Sequence, residues 1–320
     1  MEQKPISRDS GQRRATGRPA PGQPPGPAEP KAGVVTYLRS MRPHQWVKNT
    51  LVFLPAILAN DLGSETLVPS IAAFVAFCLL ASGVYVFNDL MDVETDRAHP
   101  RKCQRPFAAG DIPIRHGYRM APALFLTGLA LAAWLGPATL LIAVAYVGLT
   151  TAYSLWLKHI FLVDICTLSG LYALRVAAGA AAASLPLSWW LLAFCIAFFF
   201  SLASVKRLVE LSGASAEVRP AGSGHEYIGR NGALVEGLAI GAGVAAIVLL
   251  IAYLLLVPSV ALFATPLAKW TVCVVLAGWL LRITLAARRG AFQDDPIMFT
   301  VTDWVSWACF ATIVLMAIFG

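Results

Sequence analysis

Long apolar stretches, separated by short polar segments, dominate the pattern of the chain from about residue 47 to its end. Most of them run for about 20 residues, the length that an α-helix needs to cross the hydrocarbon core of a bilayer. The first stretch is bounded by Pro55 and Asp61, and we expect it to be tilted or partly re-entrant. The pattern predicts nine helices, near residues 47–60, 67–90, 119–135, 138–157, 161–182, 187–210, 234–257, 266–287 and 298–318.

The composition agrees with a multi-pass, all-α integral membrane protein. Hydrophobic residues make up 58% of the chain and charged residues only 13%, and the mean hydropathy is +0.66. A soluble domain carries about 25% charged residues. The six cysteines show no C-x-x-C spacing, so we expect neither a zinc site nor a disulfide framework.

Residues 1–33 differ from the rest of the chain. They are rich in Pro, Gly, Arg and Gln and contain no apolar run of the kind that a signal peptide needs. We therefore predict a disordered basic cytoplasmic tail, followed by one membrane domain over residues 34–320.

Lysine and arginine are concentrated in every other loop, and therefore on one side of the predicted bundle. The 91–119 and 206–230 loops are basic, whereas the opposite loops carry few charges. The positive-inside rule then places the N-terminus and the polar clusters in the cytoplasm and the C-terminus outside. This placement explains the net charge of +7 as membrane topology, so no nucleic-acid partner is expected.

An acidic segment, Asn88 to Asp96 with the sequence "NDLMDVETD", ends the second predicted helix. Asp89, Asp92 and Asp96 are spaced i, i+3 and i+7, so a continuous helix would place their carboxylates on one face. Oxygen ligands suit Mg²⁺, which commonly holds a substrate diphosphate as well. The alternative is a solvated acidic helix end. The cations that follow favour a diphosphate site, and they are Arg97, Arg101, Lys102 and Arg105.

A second polar cluster ends the sixth predicted helix. Lys206 and Arg207 are adjacent, and Glu210 lies one helical turn later. The cluster is either a helix-end ion pair or a phosphate clamp in which Glu210 orients the two cations.

Two further groups of polar residues lie on the same side of the membrane. Arg42, Lys48 and Asn49 belong either to an interfacial belt or to one anion site. Tyr153, Lys158 and Asp164 surround a short connection between helices, and Arg175 lies deep in the following span. A buried arginine in a membrane helix indicates a functional site or an ion pair, with Asp164 or a phosphate as its expected partner. Asp294 and Asp295 precede Pro296 and favour a helix cap.

With these residues in view, the chain resembles the UbiA superfamily of intramembrane prenyltransferases. The resemblance rests on the "NDxxDxxxD" motif at the end of a membrane helix and on Arg105, Pro106 and Gly110 after it. It implies a nine-helix bundle with a cytoplasmic-side cavity, in which Asp89, Asp92 and Asp96 bind Mg²⁺ and, through it, a diphosphate.

The segments "RPHQWVKN", "LKHIFLVDI", "RVAAGA" and "KRLVEL" are similar to one branch of that family, the decaprenyl-phosphate phosphoribosyltransferases. Members that act on aromatic acceptors carry a second Asp-rich motif where this chain has Lys206, Arg207 and Glu210. The branch resemblance implies Mg²⁺-dependent transfer of 5-phosphoribose from phosphoribosyl diphosphate to a polyprenyl phosphate, with inversion at C1, in a bacterial-type inner membrane.

Two other functions stay open from the sequence, an aromatic-acceptor prenyltransferase that makes a quinone or haem precursor and a polyprenyl-phosphate transporter. The lipid chain length and the oligomeric state, a homo-oligomer included, stay open as well. Under the resemblance, Lys206 and Arg207 join the three aspartates in catalysis. The residues expected to bind substrate are Arg42, Lys48, Asn49, Asn88, Arg97, Arg101, Arg105, Tyr153, Lys158, Asp164, Arg175 and Glu210.

Overall fold

The computed structural model describes residues 33–213, 232–257, 263, 265–291 and 296–319. The predicted tail, apart from residue 33, and Asp294 and Asp295 lie outside these residues. The described chain is helical and contains no strand. Its α-helices are α1 (Val34–Ser40), α2 (Leu54–Leu58), α3 (Ser64–Met91), α4 (Val93–Ala98), α5 (Ile114–Trp134), α6 (Pro137–Leu155), α7 (Val163–Ala182), α8 (Trp189–Gly213), α9 (Gly232–Leu256), α10 (Pro266–Arg288), α11 (Pro296–Thr302) and α12 (Trp304–Phe319).

Six of the described helices are long and apolar enough to cross a membrane: α3, α6, α7, α8, α9 and α10. Helix α5 has 21 residues, but Arg115 and Arg119 in its first turns make it less apolar. These seven helices agree with the predicted ones to within a few residues, except that α5 begins five residues before the predicted start. The chain is therefore a multi-pass membrane protein, and a count of nine membrane-spanning helices is not confirmed.

The first predicted helix, 47–60, is mostly a 3₁₀ segment, Pro43–Phe53, followed by the five-residue helix α2. The 3₁₀ segment begins after Arg42, whose backbone is left-handed (φ 53°, ψ 59°). Its side chains are tied to α3, because Trp46 Nε1 donates to Ser82 Oγ at 3.1 Å. These tertiary contacts explain an 11-residue 3₁₀ stretch, which is longer than such helices usually are.

The last predicted helix, 298–318, is divided at Asp303 into α11 and α12. Asp303 accepts hydrogen bonds from the Ser306 backbone N–H at 2.8 Å and from Arg282 at 2.7 and 2.9 Å. The carboxylate thus caps the start of α12 and binds α10 at the same time, which favours a break over a continuous helix.

Helix α7 lies in the middle of the bundle and packs against α3, α6, α8 and the 3₁₀ segment. The 3₁₀ segment approaches it closely at Gly179, where an added Cβ would lie 1.8 Å from the Val52 carbonyl oxygen. Only glycine fits at this contact. The contact brings Asn49 within reach of Arg175, and the two residues help to build the site described below.

Candidate functional site

Two adjoining cavities open among the polar residues, and Arg42 lines both of them. The inner cavity has a volume of about 390 Å³ and lies between the 3₁₀ segment, α3, α6, α7 and α8. The outer cavity has a volume of about 380 Å³ and is lined by Arg39, Arg42, Pro43, His44, Asp89, Arg105 and Pro106. The residues that line the inner cavity are Arg42, Gln45, Lys48, Ala81, Val84, Tyr85, Asn88, Tyr146, Thr150, Tyr153, Ser154, Leu168, Leu171, Tyr172, Arg175 and Lys206.

The three aspartates do not share one helical face, so that prediction is wrong. Helix α3 ends at Met91, Asp92 is a non-helical residue (φ −97°, ψ 5°), and α4 begins at Val93. The break buries the carboxylates of Asp89 and Asp96 and leaves Asp92 exposed. In the part of the chain that the structure describes, no three His, Cys, Asp or Glu side chains form a group that could hold a metal.

Two arginines neutralise the buried carboxylates. Arg42 Nη2 donates to Asp89 Oδ1 at 2.5 Å, and the same guanidinium lies over the Tyr85 ring, 4.9 Å from its centre. Arg105 Nη1 is 2.6 Å from Asp96 Oδ2 and 3.3 Å from Asp89 Oδ1. The arginine side chains are about one quarter exposed, whereas both carboxylates are almost fully buried. The resulting group of four charges is electrically balanced.

This pair of carboxylates fits a divalent cation. Asp96 Oδ1 is buried and has no hydrogen-bond partner among the described residues, which is costly unless another group binds it. Magnesium is typically held by one or two carboxylates together with substrate phosphates and water. Asp89 and Asp96 can therefore hold Mg²⁺ without a third carboxylate in the same place.

Arg175 lies at the wall of the inner cavity and is held by neutral partners. Its Nε donates to Asn49 Oδ1 at 2.8 Å, its Nη2 donates to Tyr146 OH at 2.9 Å, and its Nη1 donates to the Leu171 carbonyl at 2.7 Å. The guanidinium also lies over the Tyr146 and Tyr172 rings, at 4.8 and 5.4 Å. None of these partners carries a charge, so the positive charge of Arg175 stays available to an anion in the cavity.

The structure corrects the predicted role of Asn49. This side chain is fully buried, is not part of the cavity wall, and orients Arg175.

Arg207 does not line either cavity. It is 2% exposed and forms ion pairs with Asp164 at 2.5 Å and with Glu210 at 2.5 Å, while its Nη2 also donates to Tyr153 OH at 2.9 Å. The predicted pairing of Asp164 with Arg175 is therefore wrong, because Asp164 binds Arg207 and Tyr153. These contacts join α6, α7 and α8, and neighbouring Lys206 lines the inner cavity.

The other predicted residues divide into one inside the inner cavity and three outside both cavities. Asn88 lines the inner cavity and donates to Ser154 Oγ at 2.9 Å. Arg97 is exposed and donates to the Ala108 carbonyl at 3.2 Å. Arg101 lies on a turn and Lys158 lies in the short 3₁₀ helix Leu157–His159, and neither residue lines either cavity.

Sequence reasoning missed the polar and aromatic wall that α6 gives to the inner cavity. Tyr146, Thr150, Tyr153 and Ser154 all line it, and only Tyr153 was predicted. Their spacing of i, i+4, i+7 and i+8 places them on one face of an otherwise apolar helix. That spacing is a signal the sequence contains.

His44 also lines the outer cavity. Burial lowers the pKa of its imidazole, and the charges of Arg42 and Lys48 lower it further. These effects favour the neutral imidazole, which can accept or donate a hydrogen bond in this cavity.

Comparison with known proteins agrees with this arrangement of helices. Residues 50–302 match the UbiA prenyltransferase family. The chain belongs to that family. A solved UbiA homologue from Archaeoglobus fulgidus bound to DMAPP and Mg²⁺ has the same fold, with a TM-score of 0.67 at 15% identity over 89% of this chain and all of that one.

Two kinds of relative are similar in sequence. Nodulation protein NoeC from Azorhizobium caulinodans is 36% identical over 90% of this chain and 94% of its own length. Decaprenyl-phosphate phosphoribosyltransferases are 39% identical in Mycolicibacterium smegmatis and 43% in Mycobacterium tuberculosis, over 58% of this chain. These matches span 61% and 62% of the two phosphoribosyltransferases. The chain is thus a UbiA-family transferase of the membrane, with relatives that include phosphoribosyltransferases.

Proposed function

We propose that the protein transfers 5-phosphoribose from phosphoribosyl diphosphate to a polyprenyl phosphate and releases diphosphate. The observation that carries the proposal is the charge of the inner cavity. Arg42, Lys48, Arg175 and Lys206 line it, and none of the described residues in its wall is a carboxylate. A cavity of this kind favours substrates that carry several phosphates. Its volume also lies within the usual range for small-molecule sites.

The two cavities suggest a division of labour between the substrates. The diphosphate of the donor would lie in the outer cavity, near Asp89 and Asp96, where bound Mg²⁺ would offset the charge that develops on the leaving group. The phosphate of the lipid would lie in the inner cavity, near Arg175 and Lys206. Arg42, which lines both cavities, stands between the two anions.

The chemistry requires few proton transfers. The bond between C1 of the ribose and the diphosphate oxygen breaks, and a lipid phosphate oxygen forms a new bond to C1 from the opposite face. A phosphate monoester is largely ionised near neutral pH, so its oxygen needs no general base. The residues of the inner cavity would therefore act by orienting the lipid phosphate and by excluding water from C1.

A second candidate is prenyl transfer to an aromatic acceptor. A sequence match to a 4-hydroxybenzoate octaprenyltransferase from Hydrogenovibrio crunogenus, 29% identical over 41% of this chain, favours it. Such a substrate would not require four cations in the inner cavity, and this difference makes phosphoribosyl transfer the better-supported proposal. A transporter of polyprenyl phosphate would bind the same lipid without releasing diphosphate.

The test is an assay of purified protein in lipid vesicles with Mg²⁺. With radiolabelled phosphoribosyl diphosphate and decaprenyl phosphate, we expect released diphosphate and a radiolabelled lipid. The matched reaction contains a prenyl diphosphate and 4-hydroxybenzoate instead. Prenylation in the second reaction with no labelled lipid in the first would show that the proposal is wrong, and no diphosphate release in either would favour the transporter.

A further inference from the structure

The buried carboxylates that suit a metal ion already have a full set of counter-ions. Asp89 and Asp96 contribute two negative charges, and Arg42 and Arg105 contribute two positive ones at distances of 2.5 to 3.3 Å. A divalent cation that entered this group alone would leave two uncompensated positive charges in a largely buried place. Such an excess charge is unfavourable, because little solvent is present to screen it.

The arginines are better placed to move than the carboxylates are. Arg42 and Arg105 have about one quarter of their side-chain surface exposed, and both line the outer cavity. Asp89 and Asp96 are held on helices α3 and α4 with about 2% of their side-chain surface exposed. An anion in the outer cavity would therefore meet the two guanidinium groups before it met the carboxylates.

We infer that Arg42 and Arg105 are exchangeable counter-ions, which occupy Asp89 and Asp96 in the free protein and turn to the substrate diphosphate when the metal arrives. A diphosphate binds guanidinium groups at least as well as a carboxylate does. The exchange replaces two arginine–carboxylate pairs by metal–carboxylate and arginine–diphosphate contacts. Metal and donor consequently bind together, and the metal alone binds weakly. This inference rests on the proposed function only for the identity of the donor.

Binding of Mn²⁺ without any sugar donor tests the exchange directly, through the electron paramagnetic resonance signal of free Mn²⁺. In Arg42→Gln and in Arg105→Gln, we expect Mn²⁺ alone to bind about tenfold more tightly than in the wild type, because a competing positive charge is gone. Diphosphate binds Mn²⁺ by itself, so the same titration without protein is subtracted. After that correction, inorganic diphosphate should strengthen Mn²⁺ binding in the wild type. In the variants that enhancement should be about tenfold smaller, since the coupling between the two ligands is reciprocal.

Three controls separate charge exchange from a change of fold. Arg39 lines the same cavity but forms none of the ion pairs with Asp89 and Asp96. The Mn²⁺ affinity of Arg39→Gln should therefore stay close to that of the wild type. Arg42→Lys keeps the charge and should retain weak binding of Mn²⁺ alone. Asp89→Asn should lose binding in the presence of diphosphate.

Unchanged or weaker Mn²⁺ binding in both Arg42→Gln and Arg105→Gln would overturn the inference, whatever reaction the protein catalyses. Tighter binding in a protein that does not use phosphoribosyl diphosphate would leave the exchange intact and contradict only the proposed reaction. A variant that unfolds loses binding both with and without diphosphate. Unfolding therefore cannot produce the expected combination, in which Mn²⁺ alone binds more tightly and diphosphate enhances that binding less.

Discussion

Lys206 and Arg207 are neighbours in the sequence, yet they contact different parts of the molecule. Lys206 lines the inner cavity, whereas Arg207 is buried among Asp164, Glu210 and Tyr153. The sequence treats the two as one cationic pair. In the structure, Lys206 is a candidate substrate ligand. Arg207 is a positioning residue, because its contacts hold α6, α7 and α8 together next to the inner cavity.

Substitution of these two residues should therefore have different consequences. Arg207→Ala leaves the Asp164 carboxylate buried without its main partner, so the free energy of unfolding should fall by about 3–5 kcal/mol. Lys206→Ala should lower the melting temperature less than Arg207→Ala does, and it should raise the KM for a phosphorylated substrate about tenfold. Thermal unfolding in detergent and steady-state kinetics measure the two effects. Equal losses of stability in both variants would contradict this division of roles.

Asp89 and Asp96 are the two buried carboxylates that we propose as ligands of a divalent metal. Replacement of either one by Asn should reduce kcat/KM by about 10²-fold or more, because a group that neutralises the leaving diphosphate is lost. Glu94→Gln is the matched control, since Glu94 is exposed on α4. Near wild-type kcat/KM in Asp89→Asn would remove this residue from the metal site.

At the scale of helices, the apolar pattern predicts most of the bundle, and tertiary contacts decide the exceptions. Runs of apolar residues predict seven helices, which are α3 and α5 to α10. Three breaks do not follow: the 3₁₀ segment, the interruption at Asp92 and the division at Asp303. The 3₁₀ segment depends on contacts to α3 and α7, and the division at Asp303 depends on a local cap and a contact to α10. Periodicity along one segment does not contain such contacts.

Some of the site could likewise be predicted from sequence and some could not. The acidic motif and Arg42, Arg105, Arg175 and Lys206 stand out in the sequence because charges are rare in apolar surroundings. Their pairing does not stand out, because Arg175 reaches Asn49 across 126 positions and Arg207 reaches Asp164 across 43. Sequence spacing along one helix favours Asp164 and Arg175 as partners. In the structure, α7 packs against α8, and Asp164 forms its ion pair with Arg207 instead.

The contact between α7 and the 3₁₀ segment should depend on Gly179. Gly179→Ala forces the Val52 carbonyl away from α7, so we expect a lower melting temperature and weaker substrate binding through displacement of Asn49 and Arg175. Gly170→Ala on the same helix meets Leu149 at an ordinary distance of 3.9 Å. It should be neutral or stabilise the protein by up to about 1 kcal/mol, because alanine favours helix. A similar melting temperature in both variants would argue against the close contact.

On the scale of the whole molecule, both cavities are lined in part by residues at the helix ends that the positive-inside rule assigns to the cytoplasm. Topology remains a prediction, with the N-terminus inside and the C-terminus outside. In a cysteine-free background, a single cysteine at position 115 should be shielded from an impermeant thiol reagent in intact cells. A cysteine at position 63 should be labelled. The reverse pattern would place the site on the other side of the membrane.

We propose that the cation-lined inner cavity and the carboxylates beside it together serve phosphoribosyl transfer to a lipid phosphate. The most direct measurement is mass spectrometry of the lipid product. The purified protein is given two donors, phosphoribosyl diphosphate and a prenyl diphosphate, and two acceptors, decaprenyl phosphate and 4-hydroxybenzoate, in one reaction with Mg²⁺. We expect decaprenyl phosphate that has gained one phosphoribosyl unit, and we expect Lys206→Ala to form less of this product than the wild type. A prenylated aromatic acceptor, with the decaprenyl phosphate unchanged in mass, would contradict phosphoribosyl transfer.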